Sequence, residues 1–172
     1  VPKKPSNPKD AILKVDHLSA LNNKKTLGLK DFSLEVRAGE IVGIAGVEGN
    51  GQTELVEAIT GLRKIESGTV KIGDTDITNY SIRKRTLTGI GHIPEDRHKH
   101  GLVLDYTVED NMILQVYNKE PFSKDGFLNR RAIHEYAEKI IKAFDVRSGE
   151  GGASMARSLS GGNQQKGVIG RE

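Results

Sequence analysis

Cysteine is absent from the 172 residues. No disulfide framework and no thiolate metal site can therefore form, which fits a cytosolic setting. Long apolar runs are absent too. No stretch approaches the roughly 18 apolar residues that cross a bilayer, and no signal-peptide pattern opens the chain. Charge of one sign is lacking as well: 26 Lys and Arg stand against 23 Asp and Glu, for a formal charge of +3. The basic residues are interspersed with acidic ones rather than gathered in a patch, which disfavours nucleic acid as a partner. What remains is a globular composition, 35% hydrophobic and 28% charged, and a length of about one domain with a substantial core.

Glycine is plentiful, with 20 residues against a usual share of ~7%, and many of them fall in two motifs. The first follows an apolar run at residues 41–45, Ile41-Val42-Gly43-Ile44-Ala45, which reads as a strand buried on both faces. Next comes Gly46-Val47-Glu48-Gly49-Asn50-Gly51-Gln52-Thr53, and then a helix over 53–60 with apolar residues Leu55, Val56 and Ile59, closed by Gly61. A glycine turn that opens a helix aims backbone N–H groups and the positive helix end at one point, where an anion is stabilised. The spacing is that of a P-loop, G-x-x-x-x-G-K-[ST], with Thr53 at the Mg²⁺-binding hydroxyl position. The lysine position is Gln52. The bland alternative for these residues alone is any glycine-rich turn before a helix.

In chain order, residues 1–10 carry Pro2, Pro5 and Pro8 and read as a linker. Residues 11–18 alternate as an edge strand with Ile12 and Val15 inward, 22–25 turn, and Phe32, Leu34 and Val36 mark a half-buried strand. A turn and strand are expected over 66–73, a short helix over 81–86 capped by Ser81, and a strand over 89–93 ended by Pro94. Residues 94–101 form a charged, solvated loop whose histidines lack metal-site spacing. Helices are expected over 108–116, capped by Thr107, and over 130–144, with Ile133, Tyr136, Ala137, Ile140, Ile141 and Phe144 on the core face. Residues 147–156 look unstructured, and Ser160 would cap a final helix.

The second motif is Leu159-Ser160-Gly161-Gly162-Asn163-Gln164-Gln165-Lys166. It resembles the L-S-G-G-x-Q signature of ATP-binding-cassette (ABC) proteins. The resemblance runs from about residue 11 to 172 and is nearest to the second of two fused cassettes in sugar and nucleoside importer ATPases. The glycine loop, Ile93-Pro94-Glu95-Asp96-Arg97, Gly101-Leu102-Val103 and the signature carry that finer match, and residues 95–104 favour the nucleoside branch. The implied fold class is α/β, a P-loop NTPase (RecA-like) cassette, incomplete, with an antiparallel β subdomain and a helical subdomain. Its expected divisions are a linker at 1–10, the β subdomain and start of the P-loop core at 11–94, a Q-loop-like segment and helical subdomain at 95–165, and the continuing signature helix at 166–172.

In this family two cassettes sandwich two ATP molecules, each between one P-loop and the facing signature. The resemblance therefore implies ATP contacts from Gly46, Glu48, Gly49, Asn50, Gly51, Gln52, Thr53 and Glu54, and from Ser160, Gly161, Gly162, Asn163 and Gln164. It implies Mg²⁺ contacts from Thr53 and Glu95. The implied partners are a second cassette fused upstream, transmembrane permease subunits and, indirectly, an extracellular solute-binding protein, with no nucleic acid. The implied place is the cytoplasmic face of the membrane. Three departures bear on activity: Gln52 replaces the lysine, Glu95 stands where the family has glutamine, and no aromatic within 15–30 offers itself to an adenine. No Walker B strand, catalytic glutamate or switch histidine follows the signature, so the chain reads as a fragment with exposed apolar strand edges. Alone it is expected to hydrolyse no ATP, and phosphate release above background would refute that. The alternatives are a non-transport ABC ATPase acting in translation or DNA repair, and a regulatory nucleotide-binding module.

Overall fold

A computed structural model describes residues 7–47 and 49–172. Most of the linker expectation, at 1–6, and the contact expected of Glu48 lie outside the described residues. The chain divides into two compact units, one ending at Ile90 and one beginning at Gly91.

In the first unit, β1 (Ala11–Leu21), β2 (Leu27–Arg37), β3 (Ser67–Ile72) and β4 (Thr75–Asp76) form an antiparallel sheet in the order β2-β1-β3-β4. The strand starting at Ala11 is therefore interior rather than an edge: Val15 pairs with Leu34 on one side and Val70 on the other. Val15 is buried as expected, but Ile12 is exposed, because the alternation places it on the opposite face. The ladder is irregular near His17, and His17 and Asp31 both adopt left-handed backbone angles, with φ of 48° and 49°. Helix α1 (Gln52–Thr60) packs Leu55 and Ala58 onto Val15, Leu18, Leu29 and Val70, making the core of this unit. Gly61 ends it in the left-handed conformation, at φ 85°, as its C-cap. Helix α2 (Ile82–Leu87) starts at Ser81, whose hydroxyl accepts from Lys84 N–H.

Two expected strands do not form. Residues 41–45 join no ladder among the described residues, and Ile41 is 98% exposed, with Val42, Ile44 and Val47 also in solvent. A strand buried on both faces depends on neighbours to take its backbone groups, and no described strand runs beside it. Residues 89–93 are likewise unpaired.

The second unit is helical. Helix α3 (Val108–Met112) is shorter than expected and gives way to turns, with Thr107 accepting from Asp110 N–H as its cap. A two-stranded hairpin, β5 (Ser123–Lys124) and β6 (Phe127–Leu128), precedes α4 (Arg130–Ala143). Helix α4 buries Ala137, Ile140 and Ile141 against Val108, Met112, Val146 and Leu159, and Ile133 against Ile113 and Phe122, while Tyr136 meets Phe122 edge-on at 4.9 Å. Phe144 is exposed instead of lying on that face. Two further segments read as loop are ordered. Arg97–Gly101 is a π-helical turn capped by Asp96, and two 3-10 turns, Gly151–Ala153 and Ala156–Ser158, lead to α5 (Gly161–Arg171). Local hydrogen bonds account for them, such as Ser148 Oγ donating to Gly151 O and Glu150 N–H to Ser154 Oγ.

Candidate functional site

The glycine loop earns its sequence at Gly51. Its φ is 97°, and a Cβ there would stand 2.8 Å from Gly28 O, so only glycine fits the close approach to β2. Gly49 is also left-handed, at 86°, with open space around it. Gly51 O accepts from Leu55 N–H at 2.8 Å, which closes the first turn of α1, and no side chain caps that helix. The first-turn N–H groups of a helix have no intrahelical acceptors, so this uncapped end is furnished for an anion. Gly46 and Asn50 are exposed, Asn50 N–H donating to Val47 O. Thr53 is exposed, and Glu54 lies against Gly28.

Gln52 is the departure. Its Nε2 donates to Val47 O at 3.2 Å and lies against Gly46, where any Cβ would collide with it. The amide is thus folded across the mouth of the loop, bonded to the backbone it would have to leave to meet a ligand. The donor that this position offers is a neutral amide instead of an ammonium.

The second motif heads α5. Ser160 Oγ accepts from Asn163 N–H at 3.4 Å and from Asn163 Nδ2 at 3.0 Å, while Asn163 Oδ1 accepts from Arg147 N–H at 3.0 Å. Ser160, Gly161 and Gly162 are exposed, and a Cβ at Gly162 would meet nothing within 4 Å. Gln164 is different. It is only 6% exposed, and its amide is fully engaged inside the unit. Its Nε2 donates to Ala156 O at 3.1 Å, and its Oε1 accepts from Arg97 Nε at 3.2 Å and His98 Nε2 at 2.8 Å. Neither Arg97 nor His98 stood out in the sequence as a partner of the signature, because the pairing spans more than sixty residues.

Glu95 is exposed beside buried Pro94. Asp96 Oδ1 accepts from the backbone N–H groups of Lys99 and His98, and these bonds hold its carboxyl below the usual carboxylate range. Thr53 and Glu95, the expected Mg²⁺ contacts, belong to different units. No group of three or more His, Asp or Glu side chains among the described residues is arranged to hold a metal. No described helix is long and apolar enough to cross a membrane.

A glycine turn opens α1 and a serine-capped glycine pair opens α5, within a chain whose fold is of the P-loop NTPase class. A nucleotide-free ATP-binding cassette from an ABC transporter superposes with a TM-score of 0.75 at 24% identity, covering 94% of this chain and 64% of that one. A dimeric cassette in a post-hydrolysis state with ADP and Pi gives 0.72 at 22%, covering 93% and 68%. The chain belongs to the ABC transporter family, whose model matches residues 29–172. Among its relatives, the nucleoside import ATP-binding protein NupA of Lactococcus lactis is 53% identical, covering 97% of this chain and 33% of the relative. The guanosine import ATP-binding protein NupO of Bacillus subtilis is 49% identical, covering 99% and 33%. The glucose import ATP-binding protein TsgD13 of Haloferax volcanii is 37% identical, covering 96% and 30%. The chain spans about a third of the length of these curated relatives.

Proposed function

We propose that this chain is part of the ATP-binding component of an ABC importer for nucleosides, whose signature end completes the ATP site of a facing cassette and whose own P-loop is weakened by Gln52. The observation that carries this is the contrast between the two helix ends. The α5 end is open at Gly162 and capped by Ser160, whereas the α1 loop is crossed by the Gln52 amide. Identities of 53% and 49% to nucleoside and guanosine import proteins, against 37% to a glucose import protein, support the nucleoside branch.

At the first end, Gly49, Gly51 and the first-turn N–H groups of α1 would hold phosphate oxygens, with the Thr53 hydroxyl offered to Mg²⁺. Mg²⁺, when bound, offsets phosphate charge. At the second end, Ser160, Gly161 and Gly162 would receive the terminal phosphate of a nucleotide held by the other cassette. The partners that follow are that cassette, transmembrane permease subunits and, through them, a solute-binding protein, with the chain on the cytoplasmic face of the membrane. The domain divisions near residues 10, 94 and 165 belong to the same proposal.

Calorimetric titration of Mg-ATP into the chain and its Gln52→Lys variant tests the reading. Restoring the cation is expected to tighten binding about tenfold, the equivalent of one charge-assisted bond. Equal and tight binding by both would show that Gln52 does not weaken the loop.

A further inference from the structure

The signature end contains a cation that its motif does not include. Arg97 belongs to the π-helical turn Arg97–Gly101, yet its side chain runs to the start of α5. A Cβ added at Gly161 would stand 2.8 Å from Arg97 Nη2, which places the guanidinium directly beside the first residue of α5. Gly162 meets nothing within 4 Å, which leaves the next position open to an incoming group. Arg97 spends only its Nε, on Gln164 Oε1; among the described residues it makes no ion pair, and its two Nη groups donate to no protein acceptor. Gln164 is held in turn by Ala156 O and His98, so it is a fixed bracket rather than a mobile contact.

A guanidinium beside the positive end of a helix, with no carboxylate to offset it, is unfavourable until an anion arrives. Arginine is also suited to meeting phosphate through two parallel N–H groups, and both Nη groups remain available for that. We propose that Arg97 is a further phosphate-binding residue of the signature end: it offers its Nη groups to the terminal phosphate of a nucleotide held by a facing cassette, with Gln164 as the positioning residue that holds it there. This rests on the cassette reading above.

The test compares Arg97→Gln, Arg97→Lys and Ser160→Ala in the assembled transporter, reading kcat and KM for ATP at low and high salt alongside thermal melting. Arg97→Gln is expected to lower kcat/KM for ATP about tenfold or more. Arg97→Lys should recover most of that loss, since it keeps the charge while giving up the Nε bond to Gln164, and the recovered activity should weaken with salt. Equal losses for Lys and Gln would reduce Arg97 to a support for Gln164 and overturn the proposal. Full activity of Arg97→Gln beside an impaired Ser160→Ala would overturn it while leaving the cassette reading intact. Full activity of Ser160→Ala as well would remove the cassette reading and this inference with it. If Arg97→Gln fails to fold, the Lys variant and its salt dependence decide.

Discussion

Arg85 is the side chain on which the P-loop helix depends most, and truncating it should unfold the first unit more readily than any surface change. It is 3% exposed and donates to four backbone carbonyls: Nε to Tyr80 at 3.0 Å, Nη1 to Ala58 and Ile59 at 2.7 Å each, and Nη2 to Thr78 at 2.6 Å. Ala58 and Ile59 lie in the last turn of α1, where carbonyls have no intrahelical donors and the helix end is negative. Arg85 therefore closes α1 at the end opposite the glycine loop. Burial lowers its pKa, but a guanidinium stays charged at any ordinary pH.

Each hydrogen bond from a charged donor is worth about 1.5–3 kcal/mol, so four taken together would suggest about 6–12 kcal/mol. That figure is too large, because a buried cation without a carboxylate carries a desolvation cost of several kcal/mol, which disappears with the side chain. The net effect of Arg85→Ala is a loss of about 3–5 kcal/mol, set by carbonyls left without donors. Against a typical domain stability of about 5–15 kcal/mol, that is a large share. Urea unfolding followed by far-ultraviolet circular dichroism measures it, provided the slope with denaturant is unchanged. Arg85→Lys, which cannot span all four carbonyls, should fall between. A loss below about 1 kcal/mol for Arg85→Ala would refute the argument, because water would then be serving those carbonyls as well as Arg85 does.

Two further outcomes are expected. Gly51→Ala forces a β-carbon against Gly28 O at a φ of 97°, so it should cost about 1–3 kcal/mol on melting and weaken Mg-ATP binding at the loop. His17 Nδ1 lies 2.6 Å from Asp31 Oδ1, and this hydrogen bond, with the charges of Asp31 and Asp16, raises its pKa above 6.5 in the folded chain. The stabilising contribution is therefore present in full below the unfolded value and is lost as pH rises through the higher folded value. Unfolding of the natural chain and Asp31→Asn between pH 5.5 and 8 should show the natural chain's advantage shrinking toward alkaline pH. A constant difference would remove the ion pair from the account.

The two helix ends were legible in the residues themselves. Glycines at fixed spacing before Leu55, Val56 and Ile59, and Ser160 ahead of two glycines, specify local backbone chemistry that neighbours a few positions away determine, although Val56 proves exposed and Ala58 takes the buried place. The caps at Ser81, Thr107 and Ser160 were readable for the same reason, since each bonds an N–H three residues on. Whether an apolar run becomes a strand is not local. Residues 41–45 have the composition of a buried strand, but a ladder depends on what lies beside it, and nothing described does. The interior place of β1 was invisible for the same cause, because its second partner, β3, is distant in sequence, Val15 pairing with Val70 and Ser19 with Ser67. Tertiary structure alone decided the fate of the polar side chains. Gln52 is turned onto Val47 O, Gln164 is committed to Arg97, His98 and Ala156, and Arg85 is spent on four carbonyls. A motif fixes where a side chain starts along the backbone, while the acceptors within its reach fix where it ends, and those acceptors are brought together only by the fold.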